Sequence, residues 1–364
     1  MATNEHPIQR VALSYHPTEW WFDHLASGFA KNNVTVERFA APFRKAPGFS
    51  WDVSLQERLA EYRDDSALYL GSPTVLYGDL VKLACPTAIW HDYFSEETDA
   101  EYLPMAQLFD LVFLTSKDGL NRMISKGCDN VFWLPHGFDD TLEYNQNLAR
   151  IYQVGFVGAT NLPSHEKRRR LLPMLAAKYR MNEYQTPVFG NEMYRVYNQS
   201  KIVVNIPNLS SFNMRNFEAM AAGALLLTEP VGHGMSELFQ EDRHYAVYSS
   251  PEELVSKIDY FLAHDQERET IARSGQAEVV ARHSYRHRAA EVLSRASQIQ
   301  GRRWRSQNPD HLAKCYAVFY HRQQRLDLLL RLLKKPGLGA GARWFVLLRC
   351  LRGVLAALKQ PAPC

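Results

Sequence analysis

Short apolar runs alternate with segments of helical periodicity over the first 135 residues of the chain. Between these runs, the spacing predicts helices near residues 20–32, 75–83 and 117–127. Continuous apolar runs of this length are typical of parallel strands that are buried on both faces. The predicted strands are VALSY (11–15), VTVERF (34–39), ALYLG (67–71), TAIW (87–90), LVFLTS (111–116) and VFWLP (131–135). The pattern therefore predicts an α/β domain with a doubly wound parallel sheet.

A second alternation of the same kind begins after the polar, unpatterned stretch TLEYNQNLAR at residues 141–150. Residues 251–264 have the periodicity of a helix with one buried face. The predicted strands of this half are YQVGFVG (152–158), PVFG (187–190), KIVVNI (201–206) and ALLLTE (224–229). We place the interdomain linker in the polar stretch and predict two domains and a tail, at residues 1–145, 146–300 and 301–364.

The composition excludes several classes of protein. Of the 364 residues 46% are hydrophobic and 22% charged, which is typical of a globular chain. The five cysteines are far apart and form no CxxC pair, so neither a disulfide framework nor a structural zinc site is indicated. The amino terminus has no apolar stretch long enough for a signal peptide, and no stretch anywhere has the apolar length of a membrane-spanning helix. These features favour a cytoplasmic protein.

The charge is distributed unevenly along the chain. Residues 301–364 carry 13 Lys and Arg but only two acidic residues, whereas the rest of the chain carries 29 Lys and Arg against 37 Asp and Glu. Within the tail, residues 343–359 predict an amphipathic helix that is too short and too charged to span a membrane. Its cationic face carries Arg349, Arg352 and Lys359, and its apolar face carries Phe345, Leu348, Leu351, Leu355 and Leu358, with Trp344 at the edge.

This tail has two interpretations. The first is peripheral binding to an anionic membrane surface through residues 302–364, at the inner face of the cytoplasmic membrane. The second is packing of the tail helices on the acidic body or on a second subunit. A role in nucleic-acid binding is disfavoured because the tail is rich in leucine and its aromatic residues do not interleave with the basic ones.

Ligands of open α/β sheets bind beyond the carboxyl ends of the strands, so the loops after strands are the places to look for chemistry. After KIVVNI, Asn213 is a plausible helix N-cap that places Arg215 and Glu218 in the first turns, facing the cleft. Such a carboxylate can accept both hydroxyls of a ribose, and such an arginine can hold a diphosphate. After ALLLTE, His233 lies before Gly234 in a loop where backbone can approach a phosphate. Alternatively, Arg215 and His233 are solvated surface groups and Glu218 only complements the helix dipole.

Taken together, these segments resemble a known family. The order NMRNFEAMAAGALLLTE, GHGMSELF, PEELVSKIDYFLAH and RHSYRHR is similar to the second domain of group 1 glycosyltransferases, and nearest to the spore-maturation branch. LPHGFD at 134–139 resembles the strand-end motif of that family before its hinge. The resemblance covers about residues 110–295. It implies the GT-B fold: two Rossmann-like doubly wound domains that face each other across a cleft, here with a basic α-helical tail.

The resemblance also implies roles for single residues. Glu218 would bind the donor ribose, and Arg215 with Lys167 or Arg168 would meet the diphosphate. The other donor-binding positions implied by the site and the resemblance are Gly158, Asn213, His233, Gly234 and Glu237. Many retaining members have a second acid eight positions before the ribose glutamate, where this chain has Ser210. The stereochemical outcome is therefore left open.

Sugar transfer needs stabilisation of the leaving diphosphate and, if it inverts the anomeric centre, a base for the acceptor. We expect no metal or other cofactor, because no Asp-x-Asp triplet or His/Asp cluster has ligand spacing. For the base, the first-domain loops offer Asp92 and His91, and then His16 with Glu19. The alternative for the His91/Asp92 pair is helix capping or acceptor binding, and His136 is interpreted as structural.

The sequence thus predicts a hexosyltransferase-like enzyme that moves a sugar from a nucleotide-diphosphate sugar to a saccharide or lipid-linked saccharide in bacterial surface glycan synthesis. Two alternatives stay open. One is a non-catalytic sugar-nucleotide-binding or scaffold protein, and the other is a different enzyme of the same architecture, such as a nucleotide-sugar epimerase.

Overall fold

The computed structural model describes residues 8–16, 18–40, 54–62, 64–73, 77, 79–92, 99–207, 212–299, 308–322 and 325–358. These residues form two parallel α/β domains followed by three helices. Ser210 lies outside the described residues, and so does Lys359.

The first domain contains a six-stranded parallel sheet with the order β2-β1-β3-β4-β5-β6. Its strands are β1 (Arg10–Tyr15), β2 (Thr35–Ala40), β3 (Ala67–Gly71), β4 (Thr87–His91), β5 (Leu111–Leu114) and β6 (Val131–Trp133). Its helices are α1 (Trp21–Lys31), α2 (Leu55–Arg58), α3 (Asp99–Ala106) and α4 (Lys117–Ser125). All six predicted strands are confirmed. The helix predicted at 75–83 is only a short 3-10 turn, Leu80–Lys82, in the described part of that segment.

The second domain contains a four-stranded parallel sheet with the order β10-β9-β8-β7. Its strands are β7 (Tyr152–Gly155), β8 (Ser200–Asn205), β9 (Leu225–Thr228) and β10 (Ala246–Val247). Its helices are α5 (Glu166–Lys178), α6 (Gly190–Asn198), α7 (Met214–Ala221), α8 (Met235–Leu238), α9 (Pro251–Ala263) and α10 (Asp265–Arg282). The predicted strand PVFG is wrong, because Phe189 is the exposed residue before α6 and takes no place in the sheet.

Each central strand buries alternate residues in two different cores, which explains why the strands read as continuous apolar runs. In β8, Ile202 and Val204 pack in one core, beneath α5 and α9, whereas Val203 packs in the other with Phe217 of α7. The polar residue that ends this strand, Asn205, is fully buried. It therefore marks the carboxyl end of the strand, where ligands of parallel sheets bind.

The chain passes between the domains along two adjacent segments. The Phe138 amide donates to the His283 carbonyl at 3.2 Å, and the Tyr285 amide donates to the Phe138 carbonyl at 2.9 Å. The helix that follows, α11 (Tyr285–Ser297), packs Ala289 and Val292 in the core that contains α1. Residues 285–299 thus belong by packing to the first domain, which differs from the predicted second-domain span of 146–300.

Three tail helices, α12 (Pro309–Arg322), α13 (Leu326–Leu333) and α14 (Ala340–Leu358), also pack on the first domain. Helix α12 lies beside α3. The Tyr316 hydroxyl of α12 donates to the Tyr77 carbonyl at 3.1 Å. Among the described residues, no helix combines the length and the apolar character needed to cross a bilayer.

Candidate functional site

The start of α7 is built around a predicted N-cap. Asn213 is extended, with φ −93° and ψ 172°, and its Oδ1 accepts a hydrogen bond from the Arg215 amide at 3.1 Å. This confirms Asn213 as the N-cap and orients the first turn. Arg215 and Glu218 are three residues apart, so they emerge on the same side of the helix.

The Arg215 side chain is buried and anchored to neutral groups. Its Nε and Nη2 donate to the Val157 carbonyl at 3.0 and 2.6 Å, and its Nη1 donates to Asn205 Oδ1 at 2.7 Å. Gly158 is required beside it, because a Cβ there would stand 2.3 Å from Arg215 Nη2. The interpretation of Arg215 as a solvated surface charge is therefore wrong.

Arg168 joins Arg215 in one buried cationic cluster. It donates to the carbonyls of Ile206 and Ala159, both at 2.9 Å. The guanidinium carbons of Arg168 and Arg215 lie 5.7 and 4.5 Å from the ring centroid of Phe156. Burial, and next the charge of Arg215, lowers the pKa of Arg168 to about 10. Two cations bound by neutral oxygens in a buried site favour the arrival of an anion.

His165 lies at the edge of this cationic cluster. Its side chain is buried, and burial followed by the charges of Arg168, Arg169 and Arg215 lowers its pKa. A neutral imidazole is favoured there, and it can donate one hydrogen bond to an anion without adding a third charge.

Glu218 faces the first domain from the same helix. Its side chain is 5% exposed. Burial raises its pKa to about 7, against the opposing charges of His24, Arg215 and His136. Two of those three groups belong to the first domain or its hinge, so the carboxylate lies at the interface of the two domains. A buried carboxylate of this kind suits the binding of two vicinal hydroxyls.

The opposite wall of the cleft carries Asp92, directly after β4. Its Oδ1 accepts a hydrogen bond from the Thr115 hydroxyl at 2.7 Å and lies 3.3 Å from His136 Nε2. Burial raises its pKa, but the His136 charge and the hydrogen bonds from His136 and Thr115 more than offset this and hold it below the ordinary value. About a third of the side chain, 34%, is exposed. Asp92 is thus an accessible, ionised carboxylate.

Tyr285 lies near both carboxylates. Its hydroxyl is 3.3 Å from His136 Nδ1. Burial, then the charges of Glu218 and Asp92, raises its pKa well above the usual value. Because both charges act on one phenol, Glu218 of the second domain and Asp92 of the first lie close to the same region of the cleft.

The loop before α8 contacts the first domain instead of standing free. His233 Nδ1 lies 2.8 Å from Ser116 Oγ and 3.0 Å from Asp118 Oδ2, so His233 is not a solvent-facing histidine. Gly234 has φ 95°, and a Cβ there would stand 2.5 Å from the Trp133 ring.

Glu237 and Lys167 both form ion pairs at the rim of the site. Glu237 lies 3.0 Å from Lys117 of the first domain, whereas Lys167 is 62% exposed and lies 2.7 Å from Glu229. Of the two predicted diphosphate partners on α5, the structure brings Arg168 and not Lys167 to Arg215.

The other predicted base candidates, His91 and His16, have different surroundings. His91 lines a small cavity among the apolar side chains of Ile89, Met105 and Met123, in the core beneath α3 and α4. It therefore points away from the cleft and does not enter the proposed site. The His16 ring lies 2.7 Å from Thr18 Oγ1, and its amide donates to Glu19 at 2.8 Å within the loop after β1.

Sequence reasoning missed several residues of the site. Asn205 holds Arg215 and also donates to Asn216 Oδ1 and Thr228 Oγ1, both at 3.1 Å. A polar residue at the end of an apolar strand was the available signal. His24 and Asp139 form a 2.6 Å pair at the hinge, and Trp20 meets Phe189 across the domains with ring centroids 6.5 Å apart. No sequence pattern pointed to these contacts.

In the part of the chain that the structure describes, no group of three His, Cys, Asp or Glu side chains is placed to hold a metal ion. Metal independence stays a prediction.

Comparison with protein families gives a match in the second domain. Residues 149–294 match the family described as glycosyl transferase-like. This span contains Arg168, Arg215 and Glu218. No curated protein matches the sequence.

Solved structures extend the likeness to both domains. Anabaena HepE, in complex with UDP and glucose, matches with a TM-score of 0.58 at 16% identity, covering 79% of this chain and 99% of that one. Sucrose-phosphate synthase from Thermosynechococcus elongatus matches with a TM-score of 0.56 at 15% identity, covering 80% of this chain and 99% of that one. A glycosyltransferase from Rickettsia africae matches with a TM-score of 0.56 at 12% identity, covering 80% of this chain and 98% of that one.

The two domains form a GT-B fold. At these identities the structural likeness concerns the fold alone. Assignment to the spore-maturation branch stays a prediction.

Proposed function

We propose that this chain is a glycosyltransferase that uses a nucleotide-diphosphate sugar as donor and a saccharide or lipid-linked saccharide as acceptor. The observation that carries the proposal is the head of α7, where a buried carboxylate facing the other domain lies beside two buried guanidinium groups. A nucleotide sugar supplies a vicinal diol and a diphosphate, which are complementary to these groups. The glycosyl transferase-like match of residues 149–294 supports the same assignment.

In the proposed reaction, the bond between the anomeric carbon and the diphosphate oxygen breaks while a bond to an acceptor hydroxyl forms. Arg168 and Arg215 would stabilise the negative charge that develops on the leaving diphosphate. His165 would donate a hydrogen bond to the same group. Charge stabilisation by preorganised cations is the usual substitute for a metal ion, so we propose a metal-independent transfer without other cofactors.

Asp92 is the proposed base in an inverting transfer. It would accept the proton of the acceptor hydroxyl as the new glycosidic bond forms. His136 and Thr115 would keep this carboxylate ionised and oriented, since both contact it. His91 has no part in the proposal because its side chain lies in the apolar core. The proposed setting of the reaction is bacterial surface glycan synthesis.

A thermal-shift series tests donor binding directly. We would measure the melting temperature with UDP, GDP, ADP and their sugar conjugates, beginning with UDP because Anabaena HepE was solved with it. A ligand at 100 times its Kd stabilises a native state by ~2.7 kcal/mol. Stabilisation with transfer or slow donor hydrolysis supports the proposal. Binding with neither reaction points to the scaffold alternative, sugar interconversion points to an epimerase, and no binding contradicts both the donor site and the function.

The neighbouring cations Arg168 and Lys167 provide a matched pair of variants. Arg168→Gln should weaken nucleoside diphosphate binding by roughly 10- to 100-fold, because a charge-assisted hydrogen bond contributes ~1.5–3 kcal/mol. Lys167→Gln removes the same charge one residue away, from a largely exposed ion pair, and should change the Kd less than about fivefold. Isothermal titration with UDP measures both. Equal effects of the two substitutions would contradict the assignment of the diphosphate to the buried cluster.

A further inference from the structure

Helix α14 has two apolar faces, and the first domain and its neighbouring tail helices cover only one of them. Ala342, Val346 and Cys350 are buried, and Val346 and Cys350 belong to the core that α14 shares with α12 and the first domain. Small and branched residues on one side of α14 thus make its contacts with the rest of the protein. The helix needs no further apolar residues to dock on the protein.

The opposite side of α14 carries an exposed apolar row. Trp344, Leu348 and Leu351 are 61%, 37% and 50% exposed. Their spacing of four and then three residues places them on one stripe, ~10 Å long at 1.5 Å per residue. Val354, 39% exposed, lies beside it. An exposed row of this kind on a soluble surface marks an interaction site, because exposing it to water is unfavourable.

The surroundings of the stripe are cationic. Helix α14 contains arginines but no acidic residue. Arg343 donates to the carbonyls of Leu333, Lys335 and Leu338, at 3.1, 3.3 and 3.1 Å, and so ties the end of α13 to the start of α14. This contact holds the exposed Lys334 and Lys335 near the Trp344 end of the stripe, while Arg352 is exposed near its other end.

We propose that the face formed by Trp344, Leu348 and Leu351, with Lys334, Lys335 and Arg352 around it, docks the chain on an anionic phospholipid surface. An aromatic and aliphatic stripe flanked by cations matches the acyl boundary and the phosphate layer of a bilayer, and an anionic surface complements the charge. A second copy docking through the same face would bring the cations of the two copies together.

Membrane docking at this face would hold the candidate functional site in a fixed position relative to the lipid surface. The tail is fixed to the first domain, and α12 lies beside α3, the helix that follows Asp92 in the chain. The domain that carries the proposed base would therefore be the one held at the lipid surface. The inference is independent of the proposed function, since it needs neither a nucleotide nor a transfer reaction.

Co-sedimentation of the full-length protein with vesicles tests this proposal. The wild type should sediment with vesicles of phosphatidylcholine and phosphatidylglycerol (3:1) and at least ~10-fold less with phosphatidylcholine alone, because a few cations contribute ~1 kcal/mol each near an anionic surface. The double variant L348E/L351E should lose at least ~10-fold of the binding to anionic vesicles. The matched control I124E/M174E changes two aliphatic residues that are 53% and 39% exposed elsewhere, and it should bind like the wild type.

A second variant guards against a folding defect. K334E/K335E alters only exposed residues and should also release the protein from anionic vesicles, with an unchanged melting temperature. If the wild type binds neither kind of vesicle, or if L348E/L351E and K334E/K335E still sediment fully, the proposal is overturned. It is also overturned if light scattering finds a wild-type dimer that L348E/L351E dissociates, because the face would then be an interface between copies.

Discussion

Glu218→Gln is expected to lower sugar transfer by ~10²-fold or more, while making the unliganded protein more stable at pH 8. The loss of transfer would follow from replacing the carboxylate that we propose to accept two ribose hydroxyls by an amide that offers one acceptor oxygen. A hydrogen bond to a charged group contributes ~1.5–3 kcal/mol, and two are weakened here. The same change should weaken the binding of the nucleoside diphosphate.

The gain in stability has a defined sign. Burial raises the pKa of Glu218 from 4.5 to about 7, so the folded protein favours the protonated form. The contribution of this group to the free energy of unfolding is therefore fully present below pH 4.5 and is lost as the pH rises to 7. At ~1.4 kcal/mol per pKa unit the loss is at most about 3.5 kcal/mol. The glutamine side chain of the variant carries no charge, so the variant escapes this loss.

Denaturant unfolding at pH 5 and pH 8 measures the effect. The variant and the wild type should be close in stability at pH 5, and the variant should be more stable by ~1–3 kcal/mol at pH 8. Glu267→Gln is the matched control, since Glu267 is exposed on α10 and accepts a hydrogen bond from Tyr260. It should leave stability within ~0.5 kcal/mol and leave transfer unchanged. A Glu218→Gln variant with full activity would remove the ribose assignment.

Asp92→Asn is expected to reduce kcat by ~10³-fold without changing donor affinity. A positioned general base contributes 10²–10⁴-fold, and asparagine preserves the shape of the side chain while removing its basicity. The measurement is kcat for transfer, or for donor hydrolysis, together with UDP binding by titration. Asp129→Asn, an exposed change in the same domain, is the control and should retain full kcat. Full activity of Asp92→Asn would favour a retaining reaction without this base.

His136 gives the Asp92 assignment an independent pH signature. The His136 charge and hydrogen bond help to hold the pKa of Asp92 below its ordinary value, although burial raises it. His136→Gln removes that charge, so the pKa of Asp92 should rise and the acid limb of the kcat profile should move to higher pH. An unshifted acid limb would show that His136 does not act through Asp92.

Local patterns predicted most of the elements of both domains. Buried parallel strands have to be apolar on both faces, so β1, β5 and β8 are visible in the sequence as continuous runs. The N-cap role of Asn213 was equally local, because capping joins residues two positions apart. The strand prediction for PVFG was wrong because so short a run, bounded by Pro and Gly, carries too little pattern to distinguish a strand from a loop.

Only the tertiary structure decided how distant residues combine. The partners of Arg215 are Val157 and Asn205, and those of Asp92 are Thr115 and His136, all from other elements. The sequence predicted one apolar and one cationic face for the last tail helix. In the structure, packing with α12 and the first domain buries Val346 and Cys350 and leaves Leu348 exposed on the predicted apolar face. Long-range packing also places α11 against the first domain.

The sequence by itself thus determined the two sheets, the helix that presents Arg215 and Glu218, and the basic tail, since each depends on periodicity within one segment. The tertiary structure decided that Arg168 and not Lys167 joins the cationic cluster, that His91 faces the apolar core, and that Glu218 meets the first domain. These outcomes depend on which strand ends and helices pack together, and long-range packing leaves no periodic signal in the chain.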